Sequence, residues 1–365
     1  MNTKHLESVD VWKGVTILSV LVIHTCFWSG RLYLPDWTRR ASLLLDVPVF
    51  FFISGFLLQS RVAKTVLQRT GRQAIRLVAD YAVVTISVLV LAIALYFALQ
   101  LESRVEFDLQ AAVISALKLD PSGSVWEVLQ VYGGSMWYLR VYFSVLLVGF
   151  LVLASPLQRA LFVLPFISYA AFLLTTWFIQ VDQSFLLTDT RHLTFYLAIF
   201  LAGAAFKKYQ NNISLSALSI IWLILIAASL AIIFQGGGLP DLQAAKFPPS
   251  TLYLLFSLHS IMAFCLLVLY ESKKSFAAPR YPLRDFTSWC GRHSYRIYLW
   301  QGVAASIPFF FIPPMLKRGI PTVVIFLVTL AWIVCVSLAL TYGHNRLIPA
   351  IPIPRKLEDG KSGDD

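Results

Sequence analysis

Lys13 and His24 stand eleven residues apart on the first long apolar segment of the chain, with Asp10 three residues before the lysine. At about 100° per residue, eleven steps fall within roughly 20° of three full turns. The cation and the imidazole therefore share a helix face, roughly 16 Å apart along the axis. Asp10 falls on the same side. Ionisable groups are costly within a bilayer and face a bundle interior or a water-filled cavity. A cation near one surface and a titratable nitrogen about halfway across describe a site approached from both sides. Neutral His24 can take a proton from a hydroxyl as a general base, or hold an acyl group briefly as a nucleophile. The plainer alternatives are a histidine hydrogen-bonded to a neighbouring helix and a lysine whose ammonium snorkels to headgroups.

The elements that must position this pair are membrane helices. The chain has 365 residues, 58% of them hydrophobic and only 13% charged. Soluble proteins carry about twice that charged fraction. Apolar runs of about twenty residues recur from end to end, as bilayer-spanning helices require. The sequence reads as an all-α polytopic membrane protein of about ten transmembrane helices, near 11–29, 42–60, 78–100, 136–154, 159–180, 191–207, 214–235, 250–271, 287–311 and 320–342. The first is expected to be a retained helix rather than a signal peptide, because Lys4, His5, Glu7 and Asp10 do not make a basic n-region. Residues 1–357 read as one membrane domain without an appended soluble domain, and 358–365 as a short disordered cytoplasmic tail.

Arg61, Lys64, Arg69, Arg72 and Arg76 follow the second segment, Lys207 and Lys208 the sixth, and Lys273, Lys274, Arg280 and Arg284 the eighth. Under a ten-span count these loops share one side, and the positive-inside rule makes both termini cytoplasmic. Arg31, Arg39, Arg40, Lys317 and Arg318 run against the rule. The net charge of +11 thus reads as topology and contact with membrane lipids, and nucleic acid is not an expected partner. The first cluster has a second use. Arg69 and Arg72, or Arg72 and Arg76, lie one turn apart and can clamp phosphates.

Other features are positional. Pro48 and Ser54-Gly55 in the second segment suit a closely packed helix pair. Trp137 and Tyr138 are interfacial in type, and Arg140 follows a turn deeper. Ser294-Tyr295-Arg296-Ile297-Tyr298-Leu299-Trp300-Gln301 puts several polar groups within the ninth segment. Val105, Leu109, Val113, Ile114 and Leu117 trace an amphipathic run suited to an interface. His192 and His259 are lone histidines. Cys26, Cys265, Cys290 and Cys335 have no pairing or metal-ligand spacing. No internal repeat of the kind that marks secondary transporters is visible.

These motifs, in this order, resemble the acyltransferase-3 family of membrane-bound acyltransferases over nearly the whole chain. The resemblance rests on Asp10, Lys13-Gly14 and His24, and on Val47-Pro48-Val49-Phe50-Phe51-Phe52-Ile53-Ser54-Gly55-Phe56. It rests also on Trp137-Tyr138-Leu139, Lys246-Phe247-Pro248-Pro249 and Ser294-Tyr295-Arg296-Ile297-Tyr298-Leu299. Two departures stand out: Lys13 replaces the family's usual arginine, and Trp300-Gln301 stands where a histidine often follows. The resemblance implies an enzyme of a bacterial-type inner membrane, with no tightly bound cofactor. It would take an acyl group, most simply acetyl, from cytoplasmic acyl-CoA as cosubstrate. The acceptor it implies is a hydroxyl of an extracytoplasmic or lipid-linked saccharide, as in exopolysaccharide O-acetylation, with polysaccharide assembly machinery as a partner. His24, Lys13 and Asp10 are then the catalytic candidates, Arg69, Arg72 and Arg76 would hold CoA, and Trp137, Tyr138 and Arg140 would meet the acceptor. O-succinyl transfer is the near alternative. A transporter or flippase for a polysaccharide intermediate is the alternative of a different class, and an assembly scaffold is a third.

Overall fold

The computed structural model describes residues 3–59, 63–101, 106–178, 184–185, 187–273 and 281–348. The expected tail, 358–365, lies outside the described residues. The chain folds as helices α1 (Thr3–Phe27), α2 (Asp36–Ser42), α3 (Pro48–Leu58), α4 (Ala63–Ala98), α5 (Leu109–Leu117), α6 (Gln130–Ser135), α7 (Trp137–Ala154) and α8 (Leu164–Phe178). A minimal antiparallel ladder, β1 (Ser184–Phe185) and β2 (Thr188–Asp189), pairs Ser184 with Asp189 and Phe185 with Thr188. Then follow α9 (Thr190–Tyr209), α10 (Leu215–Gln235), α11 (Thr251–Lys273), α12 (Pro282–Arg292), α13 (Ser294–Ser306), α14 (Pro308–Lys317) and α15 (Thr322–Leu347).

The protein is an all-α polytopic membrane protein. Each of the ten expected segments contains a helix among the described residues. Among the described residues, six helices are long and apolar enough to cross a membrane: α1, α4, α7, α10, α11 and α15. The pair α13–α14, bent by 40°, makes a seventh. The bend falls where Pro308 removes a backbone donor. The shorter apolar helices α3 and α8 and the lysine-ended α9 complete the set. Leu109, Val113, Ile114 and Leu117 of α5, expected on an amphipathic run, are exposed while Ala112 and Ala116 are buried; Val105 of that run lies outside the described residues.

Local chemistry sets the ends. Asp108 caps α5 through the Ala111 amide at 2.8 Å, and Asp189 caps α9 through that of Arg191 at 2.7 Å. Pro48 opens α3 at a position where its missing N–H costs nothing. Outward faces are apolar: Phe162, Phe166, Trp177, Phe178, Phe234 and Val323 are all exposed, as lipid contact allows.

Two glycine crossings hold the centre. A Cβ on Gly55 of α3 would overlap the Phe200 carbonyl of α9, and one on Gly203 would overlap that of Phe52. Gly14 of α1 meets the Thr287 carbonyl of α12 in the same way, and Gly291 meets that of Asp10. Close backbone approach of this kind is how membrane helices gain packing energy. Around the first crossing Phe51 stacks on Tyr196 with ring centroids 4.4 Å apart. Gly55→Ala and Gly14→Ala are therefore expected to lose about 1–3 kcal/mol or more through overpacking. Gly343→Ala, which meets open space, should leave stability unchanged. Thermal size-exclusion of detergent-solubilised variants reads the difference.

Candidate functional site

A cavity of about 690 Å³ lies between α1, α3, α4, α7, α12 and α13. Lys13, Arg72, Arg76 and Arg292 bring four cations to its wall, and Ile17, Phe50, Ile53, Leu57, Tyr138 and Tyr298 supply apolar and aromatic surface. Arg72 and Arg292 are exposed and mark its polar side. The walls are fastened by hydrogen bonds: Gln73 Nε2 donates to Tyr142 Oη at 2.9 Å, and Tyr142 pairs with Ser54 at 3.1 Å. The Tyr295 hydroxyl donates to the Leu77 carbonyl at 2.9 Å, and that of Tyr298 donates to the Ser135 carbonyl. A cavity of this size with converging cations has the dimensions and charge to accept an anionic, cofactor-sized ligand.

Four of the sequence candidates meet there. Lys13 stands at the wall with Asp10 3.6 Å away. Arg72 and Arg76 project from α4 into the same space, as does Tyr138 from α7. The side chain of Arg69 lies outside the described residues. His24 is not among the lining residues. On the face of α1 that runs from Lys13 to His24, Ile17 reaches the cavity, and Val20 and Leu21 beyond it are 2% and 0% exposed. Seven helical steps, roughly 10 Å of helix, therefore separate the last lining residue from His24.

His24 belongs to a second cluster. Its Nδ1 is buried and makes no hydrogen bond among the described residues. The charges of Asp46 and Lys246 act on it. Those two residues form a buried ion pair, Lys246 Nζ to Asp46 Oδ2 at 2.6 Å, and Tyr253 donates to the same oxygen at 2.8 Å. The Val47 amide fills Asp46 Oδ1 at 2.7 Å. Ser19 of α1 donates to the Leu45 carbonyl at 2.8 Å and so fastens this corner to the helix carrying His24. Over the lysine sits an aromatic group: Trp137 with its centroid 4.9 Å from Nζ, and Phe247 edge-on to Trp137 at 4.8 Å. His192 lies 5.8 Å from Phe247. Trp137 thus faces the His24 side, whereas its neighbour Tyr138 faces the cavity. Arg140 pairs with Asp120 at 3.0 Å, and its charge is felt by His192.

A third cluster lies behind the cavity. Arg296 clamps Asp80 by two bonds of 2.7 and 3.0 Å, and both residues are about 2% exposed. Asn345 and the Ile348 carbonyl take its remaining nitrogen. Arg76, which lines the cavity, approaches Asp80 Oδ2, the oxygen that also takes the 3.0 Å bond from Arg296, at 3.9 Å. The arginine of the Ser294-to-Leu299 motif is thus a buried brace between α4, α13 and α15. Trp300 donates to His344 Nδ1 at 3.2 Å. His259 is a helix-to-helix contact, 2.8 Å from the Ser229 hydroxyl.

Sequence reasoning missed Arg292, Asp80 and the Asp46–Lys246 pair. Arg292 carried a weak signal, lying just before the Ser294 motif. The pair joins positions 200 residues apart, which no spacing rule connects.

No curated protein and no solved structure gives a significant match to this chain. A family model described as an acyltransferase domain, that of the acyltransferase-3 family, matches residues 6–342. The match begins ahead of Asp10 and takes in all three clusters except the last turn of α15 with His344 and Asn345. The chain belongs to the acyltransferase-3 family of membrane acyltransferases.

Proposed function

We propose that the protein is an O-acyltransferase of a bacterial-type inner membrane. It takes an acyl group, acetyl in the first instance, from cytoplasmic acyl-CoA and delivers it to a hydroxyl of an extracytoplasmic glycan such as an exopolysaccharide or lipid-linked repeat unit. One observation carries the reading. The cavity joins four cations to an aromatic, apolar interior, which suits a ligand that is polyanionic at one end and thin and uncharged at the other. Arg72, Arg76 and Arg292 would hold the phosphates. Lys13 would meet the pantetheine end as a point charge, without an arginine's planar fork.

Chemistry then requires the thioester end to pass beyond Ile17 toward His24, so that the acceptor oxygen attacks the thioester carbonyl carbon as its proton leaves to the base. The C–S bond breaks with its electron pair on sulfur, and the thiolate takes up a proton to become free CoA. His24 is the base in this reading. It lies beyond the cavity, beside the Asp46–Lys246 pair and the aromatic group of Trp137, His192 and Phe247, where a saccharide would enter. The positive-inside distribution of arginines supports the cavity side as cytoplasmic.

The test uses purified protein in liposomes, acetyl-CoA and a saccharide acceptor. Acceptor-dependent release of free CoA is expected; a flippase would transport saccharide and release none. The Arg72→Ala, Arg76→Ala double variant should raise KM for acyl-CoA by about 10- to 100-fold, as loss of charged hydrogen bonds implies. Unchanged affinity in folded protein would remove the CoA role of these arginines.

A further inference from the structure

The cavity wall carries four tyrosines: Tyr138, Tyr142, Tyr295 and Tyr298. Three of their hydroxyls are tied. Tyr142 accepts from Gln73 at 2.9 Å and pairs with Ser54 at 3.1 Å, Tyr295 donates to the Leu77 carbonyl at 2.9 Å, and Tyr298 donates to the Ser135 carbonyl. The fourth is open. Tyr138 is 7% exposed, and its hydroxyl has no hydrogen-bond partner among the described residues. Its oxygen is not one of the sealed polar atoms, as Tyr196 Oη is, so it opens into the space it lines. A polar group held out of water without a partner is costly, and native proteins provide one. Here the partner comes from the contents of the cavity.

The ring that carries this hydroxyl is fixed. Phe51 meets it edge-on with centroids 5.4 Å apart, Tyr298 lies 5.1 Å away and Tyr142 5.4 Å away. Its surroundings also set its place along the cavity. The preceding residue, Trp137, has its indole 4.9 Å from Lys246 Nζ. Phe51 stacks in turn on Tyr196 at 4.4 Å, and the charge of Asp46 acts on Tyr196 and Tyr298 as it does on His24. Tyr138 therefore stands at the end of the cavity nearest the His24 cluster, where a thioester would leave the cavity toward the imidazole.

We propose that Tyr138 is a catalytic residue whose hydroxyl donates a hydrogen bond to the thioester carbonyl oxygen. The assignment rests on the reading under Proposed function and names the group that polarises the donor. An uncharged donor on a rigid ring suits an oxygen that is neutral in the substrate and becomes negative only during reaction. As the acceptor oxygen bonds to the carbonyl carbon and its proton passes to His24, the C=O π pair moves onto the oxygen facing Tyr138. When that pair returns, the C–S bond breaks, sulfur leaves with its electrons, and the proton held by His24 neutralises the thiolate. Tyr138 keeps its own proton throughout. It serves the acyl donor, although it is the chain neighbour of a residue on the acceptor side.

The test compares wild type with Tyr138→Phe and Tyr295→Phe in nanodiscs. Tyr138→Phe keeps the ring packing and loses no hydrogen bond, so its thermal stability should match wild type. The first readout is the infrared stretch of the thioester carbonyl in bound, isotope-labelled acetyl-CoA, which needs no acceptor. It should lie at higher frequency in Tyr138→Phe than in wild type, because the hydrogen bond is gone, and should not move in Tyr295→Phe. The second is CoA release, whose kcat should fall about 100- to 1,000-fold in Tyr138→Phe, the range for loss of one oxyanion donor, with acetyl-CoA affinity unchanged. Bound acetyl-CoA with the same frequency in wild type and Tyr138→Phe overturns the role of Tyr138 and leaves the acyltransferase reading standing. A moved frequency without a fall in kcat overturns the catalytic role. Lower stability of Tyr138→Phe with a proportional loss of activity makes the hydroxyl structural and overturns the assignment. Failure of the wild type to bind acetyl-CoA overturns the reading under Proposed function, and this assignment with it.

Discussion

Replacing His24 with alanine is expected to reduce turnover on the order of 100- to 10,000-fold, the range for loss of a positioned acid–base group. Affinity for acyl-CoA should stay as it is, because His24 does not line the cavity. This split between kcat and binding separates the proposal from a general loss of fold. Initial rates of CoA release and equilibrium binding of acyl-CoA, measured on the same preparation, read the two halves. The same protein distinguishes the two chemical roles of the imidazole. Incubated with acetyl-CoA and no acceptor, an acyl carrier accumulates acyl-imidazole at His24, visible as added mass on its peptide. A general base accumulates none, and none is the expected result. Lys13→Arg restores the family's usual side chain and should keep activity if only a positive charge is required there.

The second large effect is structural. Arg296→Ala leaves Asp80 as a buried carboxylate without its bidentate partner, and loss of one member of such a pair costs about 3–5 kcal/mol. The damage should extend to the cavity, because Asp80 also neighbours Arg76 and α13 carries the lining residues Tyr295 and Tyr298. Little folded protein is expected. Replacing both partners, Asp80→Leu with Arg296→Met, should recover much of the stability, since an apolar pair of similar volume is often neutral or better. Thermal unfolding of the single and double variants in one detergent tests this. Equal instability in both would mean that the charges are not what holds α4 to α13.

How much of this was legible in the sequence can be read from particular residues. Lys13 and Asp10 were placed correctly on one helix face, because helical periodicity needs only one element. Arg72 and Arg76 reach the cavity with Lys13, and their one-turn spacing was the visible sign. The close helix pair expected at Ser54-Gly55 is there, and the structure supplies its partner, Gly203 of α9. What could not be seen was depth. Sequence spacing put His24 on the same face as Lys13, but whether Val20 and Leu21 between them are open or covered depends on other helices. They are covered. Nor could the sequence show that adjacent Trp137 and Tyr138 serve opposite sides of the site, or that Lys246 of the Lys-Phe-Pro-Pro motif pairs with Asp46. Such facts arise from contacts between segments distant in the chain, and each requires the assembled bundle. Length and composition alone single out six or seven spans where hydropathy suggested ten, because α3, at 11 residues, and α8, at 15, fall short of a full crossing, and α9 carries Arg191, Lys207 and Lys208 at its ends.

The most direct measurement is the O-acyl content of the host's surface and secreted glycans. It compares wild type, a deletion strain, and the deletion strain complemented with His24→Ala at matched membrane expression. The expected result is ester in the wild type, none in the deletion, and none restored by His24→Ala although the wild-type gene restores it. Ester fully restored by the His24→Ala protein would contradict a His24-dependent acyl transfer.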